Sequence, residues 1–175
     1  MSGNSKNALL LSYVDIFIAP LATASPATIT APFAAAWLQA GHIAEDNIEV
    51  SRDWGKNDDF YDIEGVLVAS VKGQYSETVK FGFLEDNATT RSIIFPGSTE
   101  TNIVTPRAVP VLLALDLKFQ TGALERLITK KHALINVEGW TWGQELTSFQ
   151  AEAKIFPDAS VTGGQLWTRQ YQAAP

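Results

Sequence analysis

The stretch Val111-Leu-Leu-Ala-Leu-Asp-Leu-Lys-Phe119 places an apolar residue at every second position, and this alternation decides the fold class. The side chains that share one face are Val111, Leu113, Leu115, Leu117 and Phe119. A period of two is typical of a β-strand that lays one face on a protein core. Thr121-Gly122 follows as a turn, and residues 124–137 return as the antiparallel partner. The sequence therefore predicts a long hairpin built from these two segments.

Strands are also predicted along most of the remaining chain. Residues 76–84 alternate cleanly, with Val79, Phe81 and Phe83 on one face. Residues 9–19 are apolar on both faces, which is typical of a strand that is covered on both sides. The other predicted strands cover residues 47–52, 66–72, 145–156 and 165–171. Together these segments predict a mainly β protein.

Two short helices are predicted beside the strands. Thr30 is a possible N-cap of a helix that continues to about Ala40 and ends at Gly41. Asp86 or Asn87 could cap a second helix over residues 88–95, which Pro96-Gly97 would end. We therefore predict a β-sandwich with one or two short flanking α-helices and an extended loop, folded as a single domain over residues 1–175. Terminal arms complete it: residues 1–8 are expected to be flexible, and residues 172–175 to be loose.

Composition narrows the classes of function. The chain has 175 residues and a net charge of -6, and only 18% of its residues are charged. An acidic balance argues against wrapping nucleic acid, because phosphate contacts need clustered Lys and Arg. The absence of cysteine excludes disulfides and a thiol nucleophile. No signal peptide or membrane-spanning run is recognised, so we expect no membrane insertion, and a protein made in a cytoplasm or released with a particle.

The residues that could support catalysis are few. His42 and His132 are the only candidates for a neutral-pH base, and neither has a suitably placed Ser or Asp. Lys130 and Lys131 precede His132 and should lower its basicity. An enzyme would need a mechanism that uses carboxylates alone, so we predict no catalytic residue and no enzyme activity.

An acidic segment over residues 45–64 holds the one candidate metal site. Oxygen-bearing residues stand at positions one, five and twelve of a calcium-loop template that begins at Asp53. The template fails at Gly55, which has no side-chain ligand, and at Asp58, which replaces the glycine of the sharp turn. We therefore predict no metal and no cofactor, and two interpretations of the segment stay open. It is a solvated acidic loop, or its aromatic residues are buried by another subunit.

Aromatic residues among charges favour the second interpretation. Trp54, Phe60 and Tyr61 have the composition of interface anchors surrounded by a polar rim. Trp140 and Trp142 could form a sugar-binding platform, although such pairs more often belong to a core or to a hairpin tip that packs on a neighbour. A small carbohydrate-binding sandwich therefore stays open as an alternative function.

The order of these features resembles that of the major tail protein, or tail tube protein, of long-tailed bacteriophages, particularly those of actinobacterial hosts. The opening Tyr13-Val-Asp-Ile-Phe-Ile-Ala-Pro-Leu-Ala-Thr-Ala-Ser-Pro26 carries the first part of the resemblance, before a Trp37 helix and the acidic segment. A strand that runs into Glu85-Asp-Asn87 carries the second part. Phe149-Gln-Ala-Glu-Ala-Lys-Ile-Phe-Pro-Asp158 carries the third. The resemblance covers most of residues 9–171.

The resemblance implies a virion protein with a structural role. Such subunits fold as β-sandwiches, form hexameric rings and stack into a tube around a tape-measure protein, and DNA later passes through the lumen. Its expected partners are other copies of itself, the tape-measure protein, the tail terminator and the distal tail or baseplate proteins. The subunit is expected in the virion tail, and in the host cytoplasm during assembly. Another virion or tube-forming component on the same fold is the nearest alternative.

Opposite charges suggest how rings could stack. The segment 45–64 contains eight acidic and two basic residues, whereas a basic stretch lies elsewhere in the chain. We expect these two regions to attract each other between subunits. With the aromatic candidates, the predicted inter-subunit contacts are Trp54, Asp58, Asp59, Phe60, Tyr61, Asp62, Arg126, Lys130, Lys131, Trp140 and Trp142.

Overall fold

The computed structural model describes residues 10–41, 43, 48–56, 58–71, 75–99, 101–141, 148–161 and 163–175. Within these ranges the chain forms eleven strands and one helix, so the mainly β prediction is confirmed. The predicted flexible arm over residues 1–8 lies outside the described residues. In chain order the elements are β1 (Leu11–Pro20), β2 (Leu38–Gln39), β3 (Glu49–Asp53), β4 (Asp58–Tyr61), β5 (Leu67–Val71), β6 (Ser76–Phe83), α1 (Ala88–Ile94), β7 (Pro110–Phe119), β8 (Leu124–Thr129), β9 (His132–Thr141), β10 (Ser148–Phe156) and β11 (Trp167–Gln172).

Two antiparallel layers make up a β-sandwich. The first layer has the order β2-β1-β7-β8-β11, and the second has the order β9-β10-β6-β3. The layers are joined where Pro110 and Val111 of β7 pair with Leu134 and Ala133 of β9. Strands β4 and β5 form a separate two-stranded sheet.

The main core lies between the two layers. Ile16 and Leu113 of the first layer belong to the same buried cluster as Val79, Phe81 and Ala153 of the second. The predicted alternation of β6 and β10 is confirmed, because the residues that share a face there are those that the sandwich buries. In β7, Leu113 and Leu115 enter the main core as predicted, but Leu112 and Ala114 on the opposite face are also buried. Burial of apolar area at about 25 cal/mol per Å² is the main force that holds the layers together.

A second apolar cluster covers the outer face of the first layer. Ile16 and Ile18 of β1 point into the main core, whereas Phe17 and Ala19 pack with Trp37 in the second cluster. The prediction that residues 9–19 form a strand covered on both sides is therefore confirmed for its second half. The cover is supplied by the irregular segment 21–37.

The helix predicted between Thr30 and Ala40 is wrong. Residues 21–37 form turns and irregular chain, and Leu38–Gln39 pair with β1 as the short strand β2. The Trp37 indole donates to the Ala24 carbonyl at 3.0 Å. These tertiary contacts outweigh the helix propensity of the alanines, which is only a weak preference.

The single return strand over residues 124–137 is also wrong. The chain turns at Lys130–Lys131, so that β8 stays in the first layer while β9 crosses to the second. The hairpin partner of β7 is therefore the shorter β8. Alternation continues on both sides of the corner, and for this reason the pattern of residues does not show the break.

The second predicted helix is confirmed. α1 begins after Asn87, whose side-chain oxygen accepts from the Thr90 backbone N–H at 2.9 Å. The Thr90 hydroxyl accepts in return from the Asn87 N–H at 2.8 Å, which completes a capping box. Ile93 and Ile94 are buried, so the helix packs one face on the sandwich.

Candidate assembly interface

An acidic hairpin extends the chain between β3 and β6. We give this name to residues 58–71, which comprise β4, β5 and the turn that joins them. The ladder between β3 and β6 ends at Asp53 and Ser76, and the acidic hairpin follows from that end. The acidic segment predicted as a loop is therefore in part a strand pair. The predicted strand at residues 66–72 is confirmed as β5.

The tip of the acidic hairpin is a closed turn. The Asp62 carboxylate accepts from the backbone N–H groups of Glu64 at 2.9 Å and Val66 at 2.8 Å. The Asp62 N–H donates to the Val66 carbonyl at 2.9 Å, and the Gly65 N–H donates to the Asp62 carbonyl at 3.0 Å. Gly65 has φ +79°, a left-handed conformation that suits glycine. These bonds hold Ile63 at the apex, where its side chain is fully exposed.

Large apolar side chains are exposed along the whole acidic hairpin. Every residue from Asp58 to Val71 is exposed. The large apolar residues among them are Phe60, Tyr61, Ile63, Val66, Leu67, Val68 and Val71. Four carboxylates and no basic residue accompany them in this stretch. This surface combines exposed apolar side chains with acidic charge, and the role predicted for Phe60 and Tyr61 between subunits stays a prediction.

A buried carboxylate holds the base of the acidic hairpin. Glu77 is only 1% exposed. It accepts hydrogen bonds from the Tyr75 hydroxyl, the Trp167 indole N–H and the Arg52 guanidinium, the last at 2.9 Å. Trp54 packs against Tyr75 with ring centroids 4.6 Å apart, so the predicted anchor Trp54 belongs to this base. We call these five residues the Glu77 node.

The Glu77 node keeps its carboxylate charged. Burial acts to raise the pKa of Glu77, but the hydrogen bonds from Tyr75, Trp167 and Arg52 outweigh it and hold the pKa below its usual range. Burial and the neighbouring Glu77 carboxylate raise the pKa of Tyr75. Because Trp167 lies on β11, the node also ties the two sandwich layers together at this edge.

The basic candidates separate into exposed and buried residues. Lys130 and Lys131 are exposed at the corner between β8 and β9. Arg126 is 5% exposed and bonds Asp116 at 2.7 Å, and it also donates to the Thr28 and Ala31 carbonyls. Its guanidinium lies over the Phe33 ring at 4.3 Å. Arg126 therefore fastens the segment 21–37 to the first layer and does not belong to the exposed basic surface.

Other candidate residues do not come together as a catalytic or metal site in the described part of the chain. His132 stacks on Phe156 at 4.7 Å, and burial followed by the charge of Lys131 lowers its pKa. No group of three or more potential metal ligands occurs among the described residues. His42, Trp142 and the side chain of Trp140 lie outside the described residues.

An apolar pocket of about 360 Å³ lies where β1, β2 and β7 approach the end of α1. Its walls include Ile18, Leu21, Leu38, Val109 and Ile135. Leu21, Leu38 and Val109 are each about half exposed there. No signal in the sequence pointed to this pocket, because its walls come from five separate segments.

Glu77 was not among the candidate residues predicted from the sequence. It shares the strand parity of Val79, Phe81 and Phe83, and this parity was the signal that could have identified a buried carboxylate. A charged residue in line with a core face needs donors, and those donors come from distant segments.

Comparisons with known proteins add one similarity. No protein-family model and no curated protein sequence matches the chain. It is similar to a chain of an extracellular contractile injection system, the PVC sheath-tube complex in its extended state, seen by cryo-EM. The two share 10% identity with a TM-score of 0.43, over 98% of this chain and 100% of that chain. A similarity at that level carries no argument about fold or function.

The described residues contain no helix that is both long and apolar enough to cross a membrane. α1, the helix among them, has seven residues.

Proposed function

We propose that this chain is a structural subunit of a phage-type tail tube and that it assembles with copies of itself through the acidic hairpin. The observation that carries the proposal is the exposure of this hairpin. Seven large apolar side chains are exposed on the acidic hairpin, whose two-stranded sheet is separate from the sandwich. The sequence resemblance to tail tube proteins agrees with this role.

The acidic hairpin needs a partner surface that buries its exposed apolar side chains. An isolated two-stranded hairpin is marginally stable in water. A concentration of large exposed apolar side chains marks an interaction site in a soluble protein. Full burial of a Val, Leu or Phe side chain contributes about 1.5–3 kcal/mol, so covering two or three of them would order the hairpin. A partner surface is therefore part of its working state.

A second copy of the chain is the partner that the charges favour. The four carboxylates of the acidic hairpin complement the exposed pair Lys130 and Lys131. These two surfaces lie on different parts of the chain, so the contact between copies is head to tail. Such contacts propagate into closed rings or open filaments. In the described sheet, β3 and β11 are edge strands that further copies could pair with or cover.

The outer face of the second layer suits a conduit for DNA. It carries Lys80, Asn136, Glu138, Gln150, Glu152 and Lys154, whereas the segment 21–37 covers the outer face of the first layer. Lys80 lies 3.7 Å from both Glu138 and Glu152, so its charge is balanced within the subunit. We assign this polar face to the lumen, because it offers little net attraction to phosphate.

The other partners follow from the same role. A tube of this kind grows around a tape-measure protein, ends at a terminator and joins distal tail or baseplate proteins. The ring in the resembling family has six copies, and we extend that number to this chain. The assembled protein then belongs to the virion tail, and DNA crosses the lumen without specific binding.

Negative-stain electron microscopy at increasing protein concentration tests the proposal. Rings or hollow tubes that appear above a threshold concentration are the expected result. Saturable binding of soluble glycans by a monomer, with no assembly up to the solubility limit, would instead identify a carbohydrate-binding module. Ionic strength should be varied in the same series, because the attraction between the acidic hairpin and the lysines is screened by salt.

A further inference from the structure

The apolar pocket has the size and chemistry of a receptor for aliphatic side chains. Its volume of about 360 Å³ is more than twice that of a cavity of about 150 Å³ that holds benzene. The walls supplied by Ile18, Leu38, Val109 and Ile135 offer no charge for a phosphate or a sugar. Several apolar side chains of a binding partner would therefore fit the pocket best.

The tip of the acidic hairpin has the complementary shape and chemistry. Ile63 stands at the apex of a turn fixed by Asp62, and Val66 and Leu67 are exposed beside it. A fixed turn loses little conformational freedom when it binds. Since Ile63 is fully exposed, the tip does not occupy the pocket of its own chain.

We propose that the hairpin tip of one copy inserts Ile63 and Leu67 into the apolar pocket of a neighbouring copy. This inference rests on the proposed self-assembly and specifies where the acidic hairpin binds. The contact joins the exposed apolar hairpin tip to the exposed apolar pocket, and both are already formed in the single chain.

Charge spacing supports this pairing. Lys131, at the corner just before β9, lies four residues before the pocket residue Ile135, so the two residues are no more than about 14 Å apart. Asp59 lies four residues before Ile63, partly along β4 and partly through the tip turn, so the two residues are no more than about 14 Å apart. When Ile63 occupies the pocket, Asp59 can reach Lys131 at the corner between β8 and β9. The same docking therefore covers the apolar tip and pairs the charges.

The geometry makes each contact weak alone and strong in an array. The tip contact involves a few residues of each copy, whereas a standard stable interface uses about 20–30 residues a side. Every copy, however, donates one tip and offers one pocket, so that a closed ring makes the contact at each junction. The attraction that the charges suggested between stacked rings is thereby placed between neighbours within one ring. Linked contacts gain from high effective concentration. We therefore expect a monomer at low concentration and a sharp onset of assembly.

Cysteine cross-linking tests the docking, because the chain has no native cysteine. The variant Ile63→Cys/Leu38→Cys places one thiol at the tip and one at the pocket wall. Mild oxidation above the assembly threshold should give a ladder of covalent multimers. The matched control Ile63→Cys/Tyr171→Cys places the second thiol on β11, at the opposite edge of the first layer, and should give no ladder.

A mixing experiment gives an independent test. Ile63→Asp spoils the tip and Leu38→Asp spoils the pocket, so each variant alone should remain monomeric. At high protein concentration, an equimolar mixture should form a weak 1:1 dimer and nothing larger, because the intact tip of one variant meets the intact pocket of the other at a single contact. Leu21→Asp is a second pocket variant, for use if Leu38→Asp lowers thermal stability.

The outcomes separate the two proposals. A ladder confined to the tip–pocket pair, with rescue in the mixture, supports the docking. Wild-type tubes with no ladder and with normal assembly of both aspartate variants would overturn the docking and leave the proposed function standing. A wild-type protein that stays monomeric at every concentration would overturn both.

Discussion

Replacing Glu77 by alanine should destabilise the fold by about 3 kcal/mol. The Tyr75 hydroxyl and the Trp167 indole each lose a charged acceptor in a partly buried site, at about 1.5 kcal/mol each. The Arg52 guanidinium is largely exposed, so its ion pair adds no more than about 1 kcal/mol. Relief of the burial cost of the carboxylate offsets part of this sum.

Chemical denaturation at pH 7 measures the effect. For a chain of this size, a loss of about 3 kcal/mol corresponds to a fall in Tm of roughly 6–12 °C. Glu152→Ala is the matched control, since Glu152 meets Lys80 at 3.7 Å on the surface and should lose less than about 1 kcal/mol. Hydrogen exchange at residues 58–71 should also rise in Glu77→Ala, because the base of the acidic hairpin is released.

The pH dependence has a definite sign. The folded pKa of Glu77 lies below its ordinary value of about 4.3, so its contribution is fully present above that value. The contribution is lost as the pH falls through the folded pKa. The difference between wild type and Glu77→Ala should therefore shrink below about pH 4. An equal difference at pH 3 and pH 7, or a loss below 1 kcal/mol at pH 7, would refute the role assigned to the charged carboxylate.

Two further predictions concern the acidic hairpin and the helix. Asp58→Lys/Asp59→Lys should slow assembly about tenfold at low salt and little at 0.5 M salt, as followed by light scattering; unchanged rates at low salt would contradict charge steering. Asp62 is left intact in that variant because it closes the tip turn. Asn87→Ala removes the capping box and should lower the unfolding free energy by about 1 kcal/mol, with Asn87→Ser restoring most of it in thermal melts; an unchanged Tm for the alanine variant would count against the cap.

Local signals in the sequence were sufficient for the elements that bury one face. β6 and β10 were predictable because every second side chain enters the core, and β7 was predictable because its most apolar face does so. α1 was predictable because Asn87 is a strong N-cap residue. These features depend on residues that are close in sequence.

Sequence-based prediction failed where contacts between distant residues determine the structure. The alanine-rich segment before Gly41 is held irregular by the Trp37 bond to Ala24 and by Arg126 on the Thr28 and Ala31 carbonyls. No local sequence pattern predicts that Arg126, almost a hundred residues away in the chain, binds these carbonyls.

The candidate interface was predictable in part. The aromatic and acidic side chains between positions 54 and 64 indicated an interface from composition alone. The structure places Phe60 and Tyr61 on an exposed hairpin. Arg126 was grouped with Lys130 and Lys131 by sequence, yet it lies in the interior because its strand parity is that of Ile128. The apolar pocket and the Glu77 node need the tertiary structure, since each draws residues from separate segments.

Hydrogen–deuterium exchange of the dilute and the assembled wild-type protein tests the central claim most directly. The account predicts that amides of residues 58–71 exchange fast in the dilute monomer and become selectively protected on assembly, together with those of the pocket segments near Leu38 and Val109. Assembled particles in which the acidic hairpin exchanges as fast as in the monomer would contradict the claim that another copy covers it.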